Sequence, residues 1–177
     1  MCENSIFMQN ITTMKKIIYV LSFLMSFGLV AQTTYLHCGQ VFDSASGKMK
    51  KEETIVVEGN LIIAINKGYT AVDSDAVQLI DLKTKTVYPG FIDMHVHIES
   101  ESNPQAYLNR YRLNEADVAY DAAVYAKRSL MAGFTTVRDM GGSGVNIALR
   151  NAIAKGKIPG PRIFTAGKTL ASTGGHG

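Results

Sequence analysis

After Pro89-Gly90 the chain alternates two kinds of segment, and that alternation restricts the fold more than any other feature. Phe91 to Ile98 is an apolar, strand-like run, and Ser100 to Asn114 is a polar loop. Glu115 to Ala132 is Ala-rich and helical in composition, with Asn114 placed to cap its start, Asp117 in its first turn and Gly133 at its end. Phe134 to Met140 is a second strand, Val145 to Lys155 a second helix closed by Gly156, and Arg162 to Ala166 a third strand. The order β-α-β-α-β predicts parallel strands and an α/β class. A βα barrel takes eight such units and roughly 250 residues. Residues 89–177 hold about two and a half units, so the sequence reads as the opening part of a larger α/β fold. An open flavodoxin-like sheet is the competing arrangement.

Upstream, Thr34 to Val87 reads as short strands. Tyr35 to Phe42 is ended by the turn-rich Asp43-Ser-Ala-Ser-Gly47, and Glu53 to Glu58 and Leu61 to Asn66 flank Gly59-Asn60, a hairpin signal. Ala76 to Leu82 and Thr84 to Tyr88 are two more candidates, which together predict a small antiparallel β module over 32–88.

Residues 1–31 have the grammar of an address. Lys15-Lys16 precede the apolar run Ile17 to Ala31, which is shorter than the roughly 20 residues of a spanning helix. A basic start, an apolar stretch and a small residue at its end describe a secretory signal peptide, with cleavage after Ala31 or after Gly28. Met14, directly before Lys15-Lys16, reads as a natural start, which would make residues 1–13 an over-called upstream extension. The expectation is therefore an exported protein, periplasmic or secreted, with no stable membrane span once the signal is removed; an uncut anchor is the alternative.

Composition excludes several classes. Hydrophobic residues make up 46% of the 177, against a net charge of +3 from 18 basic and 15 acidic residues, which is not the profile of a disordered chain. There is no Lys/Arg cluster past the N-terminus and no Trp, so nothing outlines a nucleic-acid footprint. Removing residues 1–31 deletes Cys2 and leaves Cys38 alone, so no internal disulfide is expected.

His95-Val96-His97 carries the chemistry. Side chains alternate along a strand, which puts His95 and His97 on one face about 6–7 Å apart. Asp93 belongs to that face one step deeper, while Met94, Val96 and Ile98 face the helices. Two imidazoles so placed can converge on one metal ion. They stand at the C-terminal end of their strand, where parallel α/β folds bind ligands.

These residues also carry a resemblance. Val87-Tyr-Pro-Gly-Phe-Ile-Asp-Met-His-Val-His97 resembles the entry motif of the amidohydrolase superfamily. Ala132-Gly-Phe-Thr-Thr-Val-Arg-Asp-Met-Gly-Gly142 resembles that superfamily's second barrel strand. Gly160-Pro-Arg-Ile-Phe-Thr-Ala-Gly167, with Thr173-Gly-Gly-His-Gly177, is similar to the branch of imidazolonepropionase-like enzymes and metal-dependent Xaa-Pro dipeptidases (prolidases). The resemblance implies a small β-sandwich over 32–88 followed by the first βα units of a metal-dependent (β/α)8 TIM barrel over 89–177. It further implies that His95 and His97 hold the more buried ion of a mono- or binuclear centre, and that a metal-activated water attacks a C–N bond in a dipeptide or a cyclic amide. Zn2+ is the default for imidazole and carboxylate ligands, with Mn2+, Co2+ and Fe2+ open. The remaining implied parts are a carbamylated Lys, two further His and a catalytic Asp, all expected beyond Gly177, so residues 1–177 alone are expected to be inactive.

His176, in the loop after the third strand, is a candidate for binding substrate, a carboxylate group for example. Lys168 comes too early for the carbamylated Lys and reads as a solvated loop residue. Arg138 and Asp139 alternate faces, one inward and one toward the helices, and read as an ion pair or loop anchor. Gly141-Gly142-Ser143-Gly144 opens a helix but lacks the spacing of a phosphate loop. His37 reads as a packing residue. The expected partner is a small-molecule or dipeptide substrate, and a homo-oligomer is compatible with the sequence. Two other classes compete: a non-catalytic product, and an open-sheet binder of small molecules in which the histidine pair is incidental.

Overall fold

The computed structural model describes residues 32–72 and 77–173. The expected signal segment 1–31 and His176 lie outside the described residues. The described residues fall into two compact units on either side of the Val87–Tyr88 junction.

The first unit is one four-stranded sheet. Its strands are β1 (Thr33–Asp43), β2 (Lys48–Glu58), β3 (Leu61–Lys67) and β4 (Gln78–Val87), in the order β3-β2-β1-β4. Asp43 builds the β1–β2 turn: its carboxylate accepts from Ala45 N (3.1 Å) and Ser46 Oγ (2.8 Å) and pairs with Lys50 Nζ at 3.0 Å. These partners, Ser46 first, lower its pKa to about 2. Gly59-Asn60 forms the expected tight turn between β2 and β3, which pair antiparallel.

Two expectations for this unit are corrected. The module is not wholly antiparallel, because β4 runs parallel to β1. A parallel neighbour needs a crossover in place of a tight turn, and the connection leaving β3 supplies it. That connection is stitched to the sheet: Gly68 N donates to Glu52 O, Thr54 Oγ1 donates to Gly68 O, and Thr70 N donates to Thr54 Oγ1. The second correction is that 76–82 and 84–88 are not two strands. Cys38 pairs with Leu82 and Gln40 with Thr86, so Lys83-Thr84-Lys85 bulge opposite Gly39 inside a single strand. Gly39 is required there, since a Cβ would overlap the Lys83 carbonyl. Cys38, Val41 and Ile55 form the core with Leu36, Val57, Leu82 and Val87. Cys38 is a free thiol whose burial raises its pKa.

The second unit has three parallel strands, β5 (Phe91–Val96), β6 (Phe134–Asp139) and β7 (Arg162–Thr165), in that order. Between them run α1 (Ala106–Arg112), α2 (Glu115–Met131) and α3 (Val145–Ala154). The α/β alternation is as the sequence predicts, except that α1 lies within the stretch read as a loop. Asn114 caps α2 as expected and does so reciprocally: its side chain accepts from Ala116 N and Asp117 N while Asp117 accepts from Asn114 N. Ala122 and Ala126, one turn apart, are buried with Ile98, Val137, Leu149 and Ile163. The opposite face of the same strands carries Ile92 and Phe164, each 60% exposed.

Candidate metal centre

The site is built where β5 and β6 end. Strand β5 stops at Val96, so His95 is on the strand and His97 is the first residue beyond it. Their rings still come together: the centroids are 5.6 Å apart and inclined at 68°. Two imidazoles sharing one ion at a metal–nitrogen distance of about 2.1 Å put their ring centres about 5–6 Å apart. Both side chains are exposed.

His97 is oriented by a neighbour. Its Nδ1 lies 2.9 Å from the Gly141 carbonyl oxygen. A carbonyl only accepts, so Nδ1 carries the proton and Nε2 presents its lone pair in the neutral ring. Gly141 has φ +125, and a Cβ there would run into Thr169. The next residue ties the loop down, Gly142 N donating to Gly167 O at 2.9 Å.

The strand ends are joined by Asp139. This carboxylate is buried (1% exposed) and accepts three hydrogen bonds: from Ile98 N at 3.1 Å, Asn146 Nδ2 at 2.7 Å and Thr165 Oγ1 at 2.6 Å. It connects the exit of β5, the start of α3 and the end of β7. Its role is the loop anchor of the two uses read from sequence, and Arg138 points to the opposite face.

Glu99 holds the start of α3. Its two carboxylate oxygens accept from Ser143 N and Asn146 N, each at 2.6 Å. The Gly-rich turn therefore has its helix terminus filled by the chain's own anion, which leaves the phosphate reading without support. Glu99 is not among the residues that the sequence singles out. The available signal was Gly144 at the N-cap, which has no side chain to satisfy the first N–H groups of α3.

Asp93 is a correction. Its Cα partner is Val137, a helix-facing core residue, and it lines a cavity of about 290 Å³ with Val96, Phe134, Val137 and Arg128. It lies on the face opposite the histidines. The alternation is broken between Asp93 and Val96, where the register with β6 shifts. Met94 is also corrected: it is exposed and outside the helix-side core. Lys168 is exposed as expected, and Tyr107 and Tyr111 stack edge-on along α1 at the surface. His37, in the first unit, is a packed residue, buried against Tyr69 with Nε2 2.9 Å from Thr70 O.

The histidine pair fits two positions of a metal site. Among the described residues no third His, Cys, Asp or Glu joins it.

The amidohydrolase family model matches residues 86–176. The chain belongs to the amidohydrolase family. A solved Xaa-Pro dipeptidase with bound methionine in its active site is 42% identical, with a TM-score of 0.73 over 82% of this chain and 36% of that one. A solved prolidase complexed with N-methylphosphonate-L-proline is 37% identical, with a TM-score of 0.70 over 82% of this chain and 34% of that one. Ochratoxinase from Aspergillus niger is 30% identical over 99 residues, 54% of this chain and 20% of the relative. The chain thus spans about a third of the solved proteins and a fifth of the curated relative.

Proposed function

We propose that the full-length protein is a metal-dependent hydrolase of C–N bonds, and that Xaa-Pro dipeptides are its substrate class. The observation that carries this reading is the convergence of His95 and His97 at the C-terminal end of the parallel strand β5, with Nδ1 and not Nε2 of His97 taken up by the Gly141 carbonyl. The likeness at 42% and 37% to a Xaa-Pro dipeptidase and a prolidase supports the substrate class. In this reading residues 32–88 belong to a β-sandwich, residues 89–177 open a (β/α)8 barrel, and residues 1–31 direct export to the periplasm or medium.

His95 and His97 would hold a divalent cation, Zn2+ first, with Mn2+, Co2+ or Fe2+ as alternatives. When bound, such an ion supplies Lewis acidity and brings the pKa of a coordinated water toward 7. The chain's own residues do the positioning. Gly141 sets the His97 tautomer, Asp139 fixes the three strand ends, and Glu99 holds the turn that carries Gly141. His176 would receive the substrate carboxylate. A four-coordinate site needs more than two imidazoles, so residues 1–177 alone would be inactive.

The test is a dipeptide panel on the metal-loaded full-length protein. Hydrolysis of Xaa-Pro members, lost on chelation and restored by one of the four ions, is expected. A metal-loaded protein that cleaves no member contradicts the proposal.

A further inference from the structure

The register of β5 against β6 shifts twice, and the second shift, one extra residue on β5 between Asp93 and Val96, decides which side chains face the site. Asp93 pairs with Val137 and Val96 pairs with Asp139, so Met94 and His95 together oppose the single residue Arg138. This is a β-bulge. Val137 and Asp139 are both buried on the helix side, so Asp93 and Val96 share that side although they are three positions apart. Strict alternation would instead group Asp93 with His95 and His97. A slip of one residue turns a whole strand over. With the bulge ironed out, either Asp93 leaves the helix side or the histidine pair turns under the helices.

Two side chains hold the bulge. Arg138, the residue opposite it, donates from Nε to Met94 O at 2.7 Å. Asp93 accepts from His95 N at 2.9 Å through Oδ1. The peptide joining Met94 to His95 is thereby gripped at both its carbonyl and its N–H. One of these residues comes from the neighbouring strand and one from just upstream on the same strand.

We propose that Arg138 is a positioning residue for the metal centre, holding the Met94 carbonyl so that the bulge presents His95 beside His97. Asp93 completes the grip from the other side of the peptide. The proposal rests on the metal-binding reading of the histidine pair.

Two nearly isosteric variants of the full-length protein test it. Arg138→Gln keeps an N–H donor at the position of Nε, and Arg138→Met has the same reach with no donor. The readouts are Co2+ affinity of the apoprotein by calorimetry and the visible spectrum of the Co2+ form. The Met variant should bind Co2+ about 10–100-fold more weakly with altered bands, and the Gln variant should stay within about threefold of the wild type. Unchanged affinity and spectrum in the Met variant, or equal losses in both variants, overturn the proposal. A wild type that binds no Co2+ removes the metal-centre reading and this proposal with it. A wild type and Met variant that bind alike remove this proposal alone. Should the Met variant not fold, the Arg138 Nε–H resonance of the wild type decides. Slow solvent exchange and a shift on adding Co2+ are expected, and fast exchange or no response overturns the proposal.

Discussion

Each of the two units carries histidine at a strand, and the two settings leave different things free. His37, in the middle of β1, is 6% exposed, stacks on Tyr69 and spends Nε2 on the Thr70 carbonyl. His97, just past the end of β5, is exposed and spends Nδ1 on the Gly141 carbonyl. Both rings meet a backbone carbonyl. Each leaves one nitrogen without a partner among the described residues, Nδ1 in His37 and Nε2 in His97, and position along the strand decides whether a ligand can reach it, since Nδ1 of His37 is buried. A ring in mid-strand is covered by its own sheet's crossover, whereas a ring at the end of a parallel strand is oriented from one side and open on the other.

The same contrast runs through the buried polar groups. Thr54 in the first unit is fully buried and joins two points of one connection, Gly68 O and Thr70 N. Asp139 in the second joins three separate elements. The largest expected effect in this comparison belongs to Asp139→Asn, which sets an amide N–H₂ against groups that donate. It should destabilise the full-length protein by about 2–3 kcal/mol, as hydrogen bonds to a charged group are worth. Thr54→Val keeps the volume and strands the Thr70 N–H, for about 1–2 kcal/mol. Denaturant midpoints of the two variants check the order, and a reversed order would break the comparison.

The smallest effect concerns pH. Asp43 is held at about 2 by Ser46, Lys50 and the Ala45 N–H, below its ordinary value of 3.8. A depressed carboxylate contributes stability that is present above its unfolded value and lost as pH falls through the folded one. The β1–β2 turn should therefore keep its hydrogen-exchange protection at pH 4 and lose it toward pH 2. The Asp43→Asn variant should show no such step, and a wild-type step centred near pH 4 would contradict the assignment.

Much of the fold was legible because it depends on local signals. The Asn114 cap, the Gly59-Asn60 turn and the strand–helix alternation after Pro89 are all set by neighbours in sequence. The parallel pairing of β4 was not legible, because nothing in Gly68 to Val77 states which edge of the sheet the chain will reach. The histidine pair was legible by simple alternation, but Asp93 was misplaced by the same rule. An inserted residue changes the period without leaving a mark in composition, and the residue that Met94-His95 bulge against, Arg138, is 44 positions from Met94. Glu99 was hidden for a similar reason, since it caps a helix that begins at Val145.

Everything proposed for the second unit requires the imidazoles at positions 95 and 97 to bind one divalent ion jointly. Its most direct test is metal content, measured by mass spectrometry, in the purified full-length protein carrying His95→Ala and His97→Ala, beside His37→Gln. The wild type and the His37→Gln protein should retain the ion. The double variant should lose it, by more than the roughly 10–100-fold that an outer-shell change costs in affinity. A double variant that keeps both its bound ion and its turnover would contradict the account.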